Sequence, residues 1–102
     1  MKPSPFDYAK PSSLDEALGL LGSGGGNASV LAGGQSLMPT LNMRLSSPSL
    51  LVDINDLQEL EGINVTGGII RIGALTRHQN VERSTDIARH VPLIAMAMPH
   101  IA

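Results

Sequence analysis

Apolar residues recur near the start of the chain at Leu14, Ala17, Leu18 and Leu21, the i, i+3, i+4, i+7 spacing that lines one face of a helix. Ser13 ahead of them and Glu16 three positions later form a capping box, so the pattern predicts a helix that begins at Ser13. Gly22 is placed to end it in the left-handed conformation, and Gly24-Gly25-Gly26-Asn27 reads as a flexible turn. Phe6-Asp7-Tyr8 alternates as a short edge strand before the helix, and Ser29-Val30-Leu31-Ala32 reads as a strand after it.

Leu37, Leu41 and Leu45 mark one face of a second, short helix. Pro39 fits its first turn, where a missing N–H costs no intrahelical bond. Ser46-Ser47-Pro48 breaks this helix, and Leu50-Leu51-Val52-Asp53-Ile54 has the continuous apolar character of a strand covered on both faces. The pattern then changes period. Ile63-Asn64-Val65-Thr66 alternates, Gly67-Gly68 supplies a two-residue turn, and Ile69-Ile70-Arg71-Ile72 returns, which predicts a β-hairpin. Thr76 and Gln79 read as a second capping box that opens a helix over residues 77–83, and a last helix runs from about Asp86 towards Met98, split or kinked at Pro92. The class is therefore α/β (α+β): a small βαβ-type subdomain, then a β-hairpin and C-terminal helices.

A chain of 102 residues allows one small domain, with a single compact core as the expectation. Phe6 and Tyr8 are its only aromatic residues and Trp is absent, so aliphatic side chains must fill the interior. A formal charge of −2 gives no basic surface for nucleic acid or anionic lipid, which points to small molecules or protein partners. Without cysteine, the chain can hold neither a disulfide nor a Cys-ligated cluster. The residues after Met1 lack the apolar segment of a signal peptide, and the apolar run from Leu93 to Met98 is far short of the ~20 residues that span a bilayer. A cytoplasmic setting and no membrane span are expected.

Candidate chemistry gathers where the second predicted strand meets the second helix. Leu31-Ala32-Gly33-Gly34-Gln35-Ser36-Leu37 has the layout that holds a phosphate: glycines let the backbone approach closely, and free N–H groups at a helix start point at the anion. Gln35 and Ser36 add side-chain donors. A strand–Gly-Gly–helix junction also serves as a plain tight turn. No Lys and Ser/Thr follow Gly34, which excludes a P-loop, and Asn27 stands where a dinucleotide fingerprint based on Gly22 and Gly24 needs its third glycine. Asp53 lies at about the distance of that fold's ribose-binding acid, which without the glycine spacing reads as coincidence.

The pattern Phe6-x-Tyr8-x-x-Pro11-x-Ser13-x-x-Glu16-Ala17-x-x-Leu20-Leu21, with Leu31 to Leu37 and Ile72-Gly73-Ala74-x-Thr76, resembles the start of the FAD-binding (medium) subunits of molybdopterin dehydrogenases. This is the carbon monoxide dehydrogenase and xanthine dehydrogenase group, and the resemblance covers nearly the whole chain. It implies the N-terminal part of a PCMH-type FAD-binding domain over residues 1–102, with the second FAD subdomain and the C-terminal domain absent. It implies that Ala32, Gly33, Gly34, Gln35, Ser36 and Leu37 bind the FAD pyrophosphate, with Val30 and Leu31 leading in, and that Ala74 and Thr76 lie near the flavin. It further implies a flavin-dependent oxidoreductase subunit that passes electrons from iron–sulfur clusters through FAD to an external acceptor. The partners would be an iron–sulfur small subunit and a molybdenum large subunit, which would carry the clusters and the molybdopterin.

Other polar residues add no catalytic group. His78, His90 and His100 share no metal-ligand spacing, so no metal is assigned, and the acidic residues fit helix starts and turns. Thr76 is equally readable as a helix N-cap. Leu93, Ile94, Met96, Met98 and Ile101 either complete a local core or support a homo-oligomer. The competing reading of the whole is a non-catalytic α/β module that binds a simple anion or a partner subunit without flavin.

Overall fold

The computed structural model describes residues 2–101. The chain divides into two compact units, one up to Leu57 and one from Gln58 on, so the single core expected from chain length is replaced by two. The physical reason lies in the strands: three pair in one sheet and the remaining two pair only with each other.

In the first unit β1 (Asp7–Ala9), β2 (Ala28–Leu31) and β3 (Leu50–Asp53) form a parallel sheet in the order β1-β3-β2. Tyr8 stands opposite Leu51 in register, and Leu31 opposite Asp53. The central strand is the apolar one because both its neighbours and the layers above and below cover it: Leu51 and Val52 are buried together with Ala17, Leu41 and Leu57. Helix α1 (Leu14–Ser23) packs on β2 and β3 through its apolar face. Its N-cap is Ser13, whose Oγ accepts from the Glu16 amide at 3.1 Å, while the Glu16 carboxylate accepts from the Ser12 amide at 3.0 Å. The predicted left-handed end at Gly22 is not adopted: the helix continues to Ser23, Gly24 caps it at φ −73°, and the positive-φ residues are Gly25 and Gly26.

Helix α2 (Leu37–Asn42) is shorter than the leucine spacing predicts. Arg44 adopts φ +56°, and the Leu45 amide turns back to the Thr40 carbonyl at 3.0 Å, so the chain leaves the helix and Leu45 is exposed. Strand, helix and strand from Ala28 to Asp53 form the expected βαβ unit, with β2 and β3 adjacent and parallel.

The second unit carries the predicted hairpin, β4 (Ile63–Thr66) and β5 (Ile69–Ile72), antiparallel around Gly67-Gly68. Helices α3 (His78–Arg83), α4 (Thr85–His90) and α5 (Pro92–Ala97) follow, and Pro92 splits the last predicted helix as its ring chemistry demands. The core is Val81, Ile87 and Met98, with Ile63, Ile70, Ile94 and Ala95 packed against it. The apolar tail thus divides, with Ile94 and Met98 facing this core and Leu93 and Met96 exposed. No helix among the described residues is long and apolar enough to cross a membrane.

Candidate functional site

Strand β2 delivers the chain into residues 32–36, a loop that turns directly into α2. The carbonyls of this segment are engaged. Leu31 accepts from the Ile54 amide at 3.0 Å, Ala32 from Asn55 Nδ2 at 2.8 Å, Gly34 from the Met38 amide at 3.0 Å, and Ser36 from Thr40 Oγ1 at 2.8 Å. The amides are not: among the described residues the N–H groups of Gly33, Gly34, Gln35 and Ser36 meet no backbone carbonyl. The Ser36 hydroxyl makes no capping bond, and the Gln35 and Ser36 side chains are exposed. A run of free donors with anchored carbonyls is an arrangement suited to an anion.

The two glycines do different work. Gly34 has φ +79°, and a Cβ on it would lie 3.1 Å from Met38 Cγ and 3.5 Å from Leu31 Cδ1, so the fold itself requires glycine there. Gly33 has no positive φ, and a Cβ on it would meet nothing nearer than Gln35 Oε1 at 3.9 Å. Nothing within the fold calls for glycine at position 33. An open face beside free amides, which a side chain would fill, is the form a pyrophosphate cradle takes, so these residues fit the phosphates of a nucleotide.

Of the other residues singled out from the sequence, Val30 pairs with Val52 and is partly exposed, and Leu37 opens α2. In the second unit, residues 73–76 form a turn against residues 60–62. The Gly73 amide donates to the Gly62 carbonyl at 2.8 Å and the Leu75 amide to the Leu60 carbonyl at 2.8 Å. A side chain on Gly73 would collide with the Leu60 carbonyl, which accounts for that glycine by packing. Thr76 is not the helix N-cap; Arg77 is, and the Thr76 hydroxyl instead donates to the Gly62 carbonyl and accepts from the Gly62 amide, both at 3.0 Å. Ala74 is exposed on this turn. An open hollow lined by Glu59, Glu61, Asn64 and Arg71 belongs to this unit alone, and its two carboxylates make it a poor seat for phosphate.

Asp53 is engaged within the fold through its carboxylate. It is buried, and its carboxylate accepts from the Tyr8 hydroxyl, the Asn55 amide at 3.0 Å and Asn55 Nδ2 at 2.7 Å. Sequence inspection missed both Tyr8 and Asn55 as parts of this site. The available signal was an Asx residue two positions beyond a buried acid at a strand end. Among the described residues, no group of three or more His, Cys, Asp or Glu is placed to hold a metal ion.

Residues 4–102 match the FAD-binding domain of molybdopterin dehydrogenase. The chain is 48% identical over 102 residues to the 6-hydroxypseudooxynicotine dehydrogenase complex subunit alpha of Paenarthrobacter nicotinovorans, covering 100% of this chain and 34% of that one. It is 43% identical to the caffeine dehydrogenase subunit beta of a Pseudomonas species, again over its full length and 35% of the relative. The solved carbon monoxide dehydrogenase from Hydrogenophaga pseudoflava superposes with a TM-score of 0.94 at 41% identity, over 100% of this chain and 36% of that one. The chain therefore spans about a third of the length of these relatives. With the free amides and the open glycine face beside them, these likenesses establish that the chain belongs to the family of FAD-binding domains of molybdopterin dehydrogenases.

Proposed function

We propose that this chain supplies the pyrophosphate-holding part of an FAD site in the flavin subunit of a molybdenum hydroxylase. The observation that carries the reading is Gly33, a glycine the fold does not need, standing open beside the unengaged amides of residues 33–36. Val30 and Leu31 bring the chain to the loop, and Ala32 to Leu37 shape it. The amides of Gly33, Gly34, Gln35 and Ser36 would donate to phosphate oxygens, with the Gln35 and Ser36 side chains beside them. In the second unit the turn of Ala74 and Thr76 is proposed as a flavin contact. Ala74 is exposed there, and Thr76 acts by holding the turn to Gly62.

Bound FAD would supply the redox chemistry, taking electrons that originate at a molybdenum centre and handing them to an external acceptor. This chain has no cysteine with which to ligate an iron–sulfur cluster. The clusters and the molybdopterin are assigned, as part of the same proposal, to a small and a large partner subunit in a cytoplasmic complex. The residues named here hold phosphate and transfer no proton, so no catalytic residue is assigned to them.

Hydrogen bonds to a charged group contribute ~1.5–3 kcal/mol each, so four amides offer about 6–12 kcal/mol before ordering costs. A nanomolar complex needs roughly 12 kcal/mol net. The chain by itself should therefore bind FAD in the micromolar range or more weakly. Titration of FAD and ADP into the chain, followed by flavin fluorescence and calorimetry, tests this with Gly33→Val, whose side chain would fill the open face. Weak binding abolished by the substitution is the expected result; binding that survives it unchanged would remove the assignment of this loop.

A further inference from the structure

Two carbonyls at the end of β2 are held by the residues that follow β3: Leu31 by the Ile54 amide at 3.0 Å, and Ala32 by Asn55 Nδ2 at 2.8 Å. The second of these bonds bears on the phosphate loop through the geometry of one peptide unit. The Ala32 carbonyl and the Gly33 N–H belong to the same planar trans peptide and point in opposite directions. Fixing the carbonyl on Asn55 therefore fixes where the first loop amide aims.

Asn55 is itself oriented. Its side-chain nitrogen has two hydrogens, and the two acceptors around it are the Ala32 carbonyl at 2.8 Å and Asp53 Oδ1 at 2.7 Å. Asp53 also accepts from the Asn55 backbone amide at 3.0 Å, closing a local ring that holds residue 55 against the strand end. Its other carboxylate oxygen accepts from the Tyr8 hydroxyl, which reaches it from β1. All three strands of the first unit thus meet in one chain of hydrogen bonds, running from Tyr8 through Asp53 and Asn55 to the carbonyl at the base of the loop.

We propose that Asn55 is a positioning residue for the phosphate loop: by holding the Ala32 carbonyl it aims the Gly33 amide, and Tyr8 and Asp53 act through it. This rests on the reading of residues 32–37 as a pyrophosphate loop. Asn55 touches no ligand itself; it removes the freedom of the Ala32–Gly33 peptide to rotate, so that the donors do not have to be ordered when the anion arrives. Asp53 has its place in this arrangement as the acceptor that turns the Asn55 nitrogen towards both partners.

The test is solution NMR of the 15N-labelled chain, with inorganic pyrophosphate, ADP and FAD as probes. Two substitutions are compared. Asn55→Leu keeps the size and removes the donor without adding a charge beside Asp53, and Asn55→Ser is a side chain too short to reach Ala32, in case the first does not fold. Asp56→Asn, which breaks the exposed ion pair with Lys10 one position away, serves as the control. The wild type should show pyrophosphate-dependent shifts at the amides of residues 33–36. In the Asn55 variants, affinity should fall about ten-fold, the worth of one hydrogen bond, while the control stays unchanged. Order parameters of those same four amides should drop in the unliganded variants, with the strands and α1 as rigid as before. Variants that bind like the wild type would overturn the proposal and leave the loop assignment standing. Loss of order throughout the sheet would also overturn it, since Asn55 would then act on the fold. A wild-type chain whose loop amides respond to none of the three probes would remove the loop assignment, and the proposal with it.

Discussion

The hydroxyl of Tyr8 donates to the carboxylate of Asp53 across 45 positions of sequence, joining an edge strand to the end of the central one. Burial pushes the Asp53 carboxyl up, but the hydrogen bonds from Tyr8 and Asn55 and the charge of Lys10 outweigh it and hold the group below its ordinary value. The Tyr8 phenol is pushed up, chiefly by its bond to Asp53. A carboxyl lowered by folding stabilises the fold above the ordinary Asp value of about 3.9, and that contribution is lost as pH falls through the folded value. A phenol raised by folding stabilises below about 10, and its contribution is lost as pH rises through the raised value. Urea unfolding measured across this range should show stability declining at both ends, with both declines shallower in Tyr8→Phe. Identical acid and alkaline limbs in the two proteins would mean that the bond carries no stability.

Gly33 and Gly34 should respond unequally to alanine. At position 34 a side chain must adopt φ +79° and press on Met38, so Gly34→Ala should cost about 1–2 kcal/mol in denaturant unfolding. At position 33 the space is open and φ is unexceptional, so Gly33→Ala should leave stability within about 0.5 kcal/mol of the wild type. Equal costs at both positions would contradict the division of roles drawn from their geometry.

Arg44 offers a stabilising change. It is the only described non-glycine residue with positive φ, at +56°, and the side-chain bond it makes among the described residues, from Nε to the Lys2 carbonyl at 3.2 Å, lies on the exposed surface. Arg44→Gly relieves the left-handed penalty and should raise stability by about 0.5–1 kcal/mol after the greater freedom of glycine in the unfolded chain is counted. A lower thermal midpoint in the variant would show that the Lys2 contact outweighs the backbone relief.

Ile87 has no exposed surface and sits with Val81 and Met98 at the centre of the second unit. Ile87→Ala should cost about 2–5 kcal/mol, through lost burial and the cavity left behind. Amide exchange resolved by residue should show the loss in the hairpin and in α3 to α5.

What the sequence disclosed was whatever is decided within a few residues. The Ser13 cap, the Gly67-Gly68 turn and the break at Pro92 are local, and all three stand in the structure. Periodicity misled where a backbone conformation overrode it, since Leu45 continues the spacing of Leu37 and Leu41 but follows a residue with positive φ. Spacing also misled at Thr76, because the partner of its hydroxyl is Gly62, 14 residues back, and not the helix that begins beside it. The strand–Gly-Gly–helix loop was legible as a motif, yet two adjacent glycines look alike in sequence; only the packing around each separates the one the fold requires from the one it does not. Asn55 was silent because its partner at Ala32 lies 23 residues away.

The strand order β1-β3-β2 also governs when the sheet can exist during synthesis. Neither β1 nor β2 pairs with the other; each finds its neighbour only in Leu50–Asp53. A ribosome that has released residues up to 49 has therefore issued the whole glycine loop with no sheet to mount it on, and only α1 and the short α2 have local bonds with which to form early. Emergence of four further residues completes both ladders together and brings Asp53 to Tyr8. The loop's anchor waits only for Asn55, so sheet and loop should become ordered as one event, late in the making of the first unit.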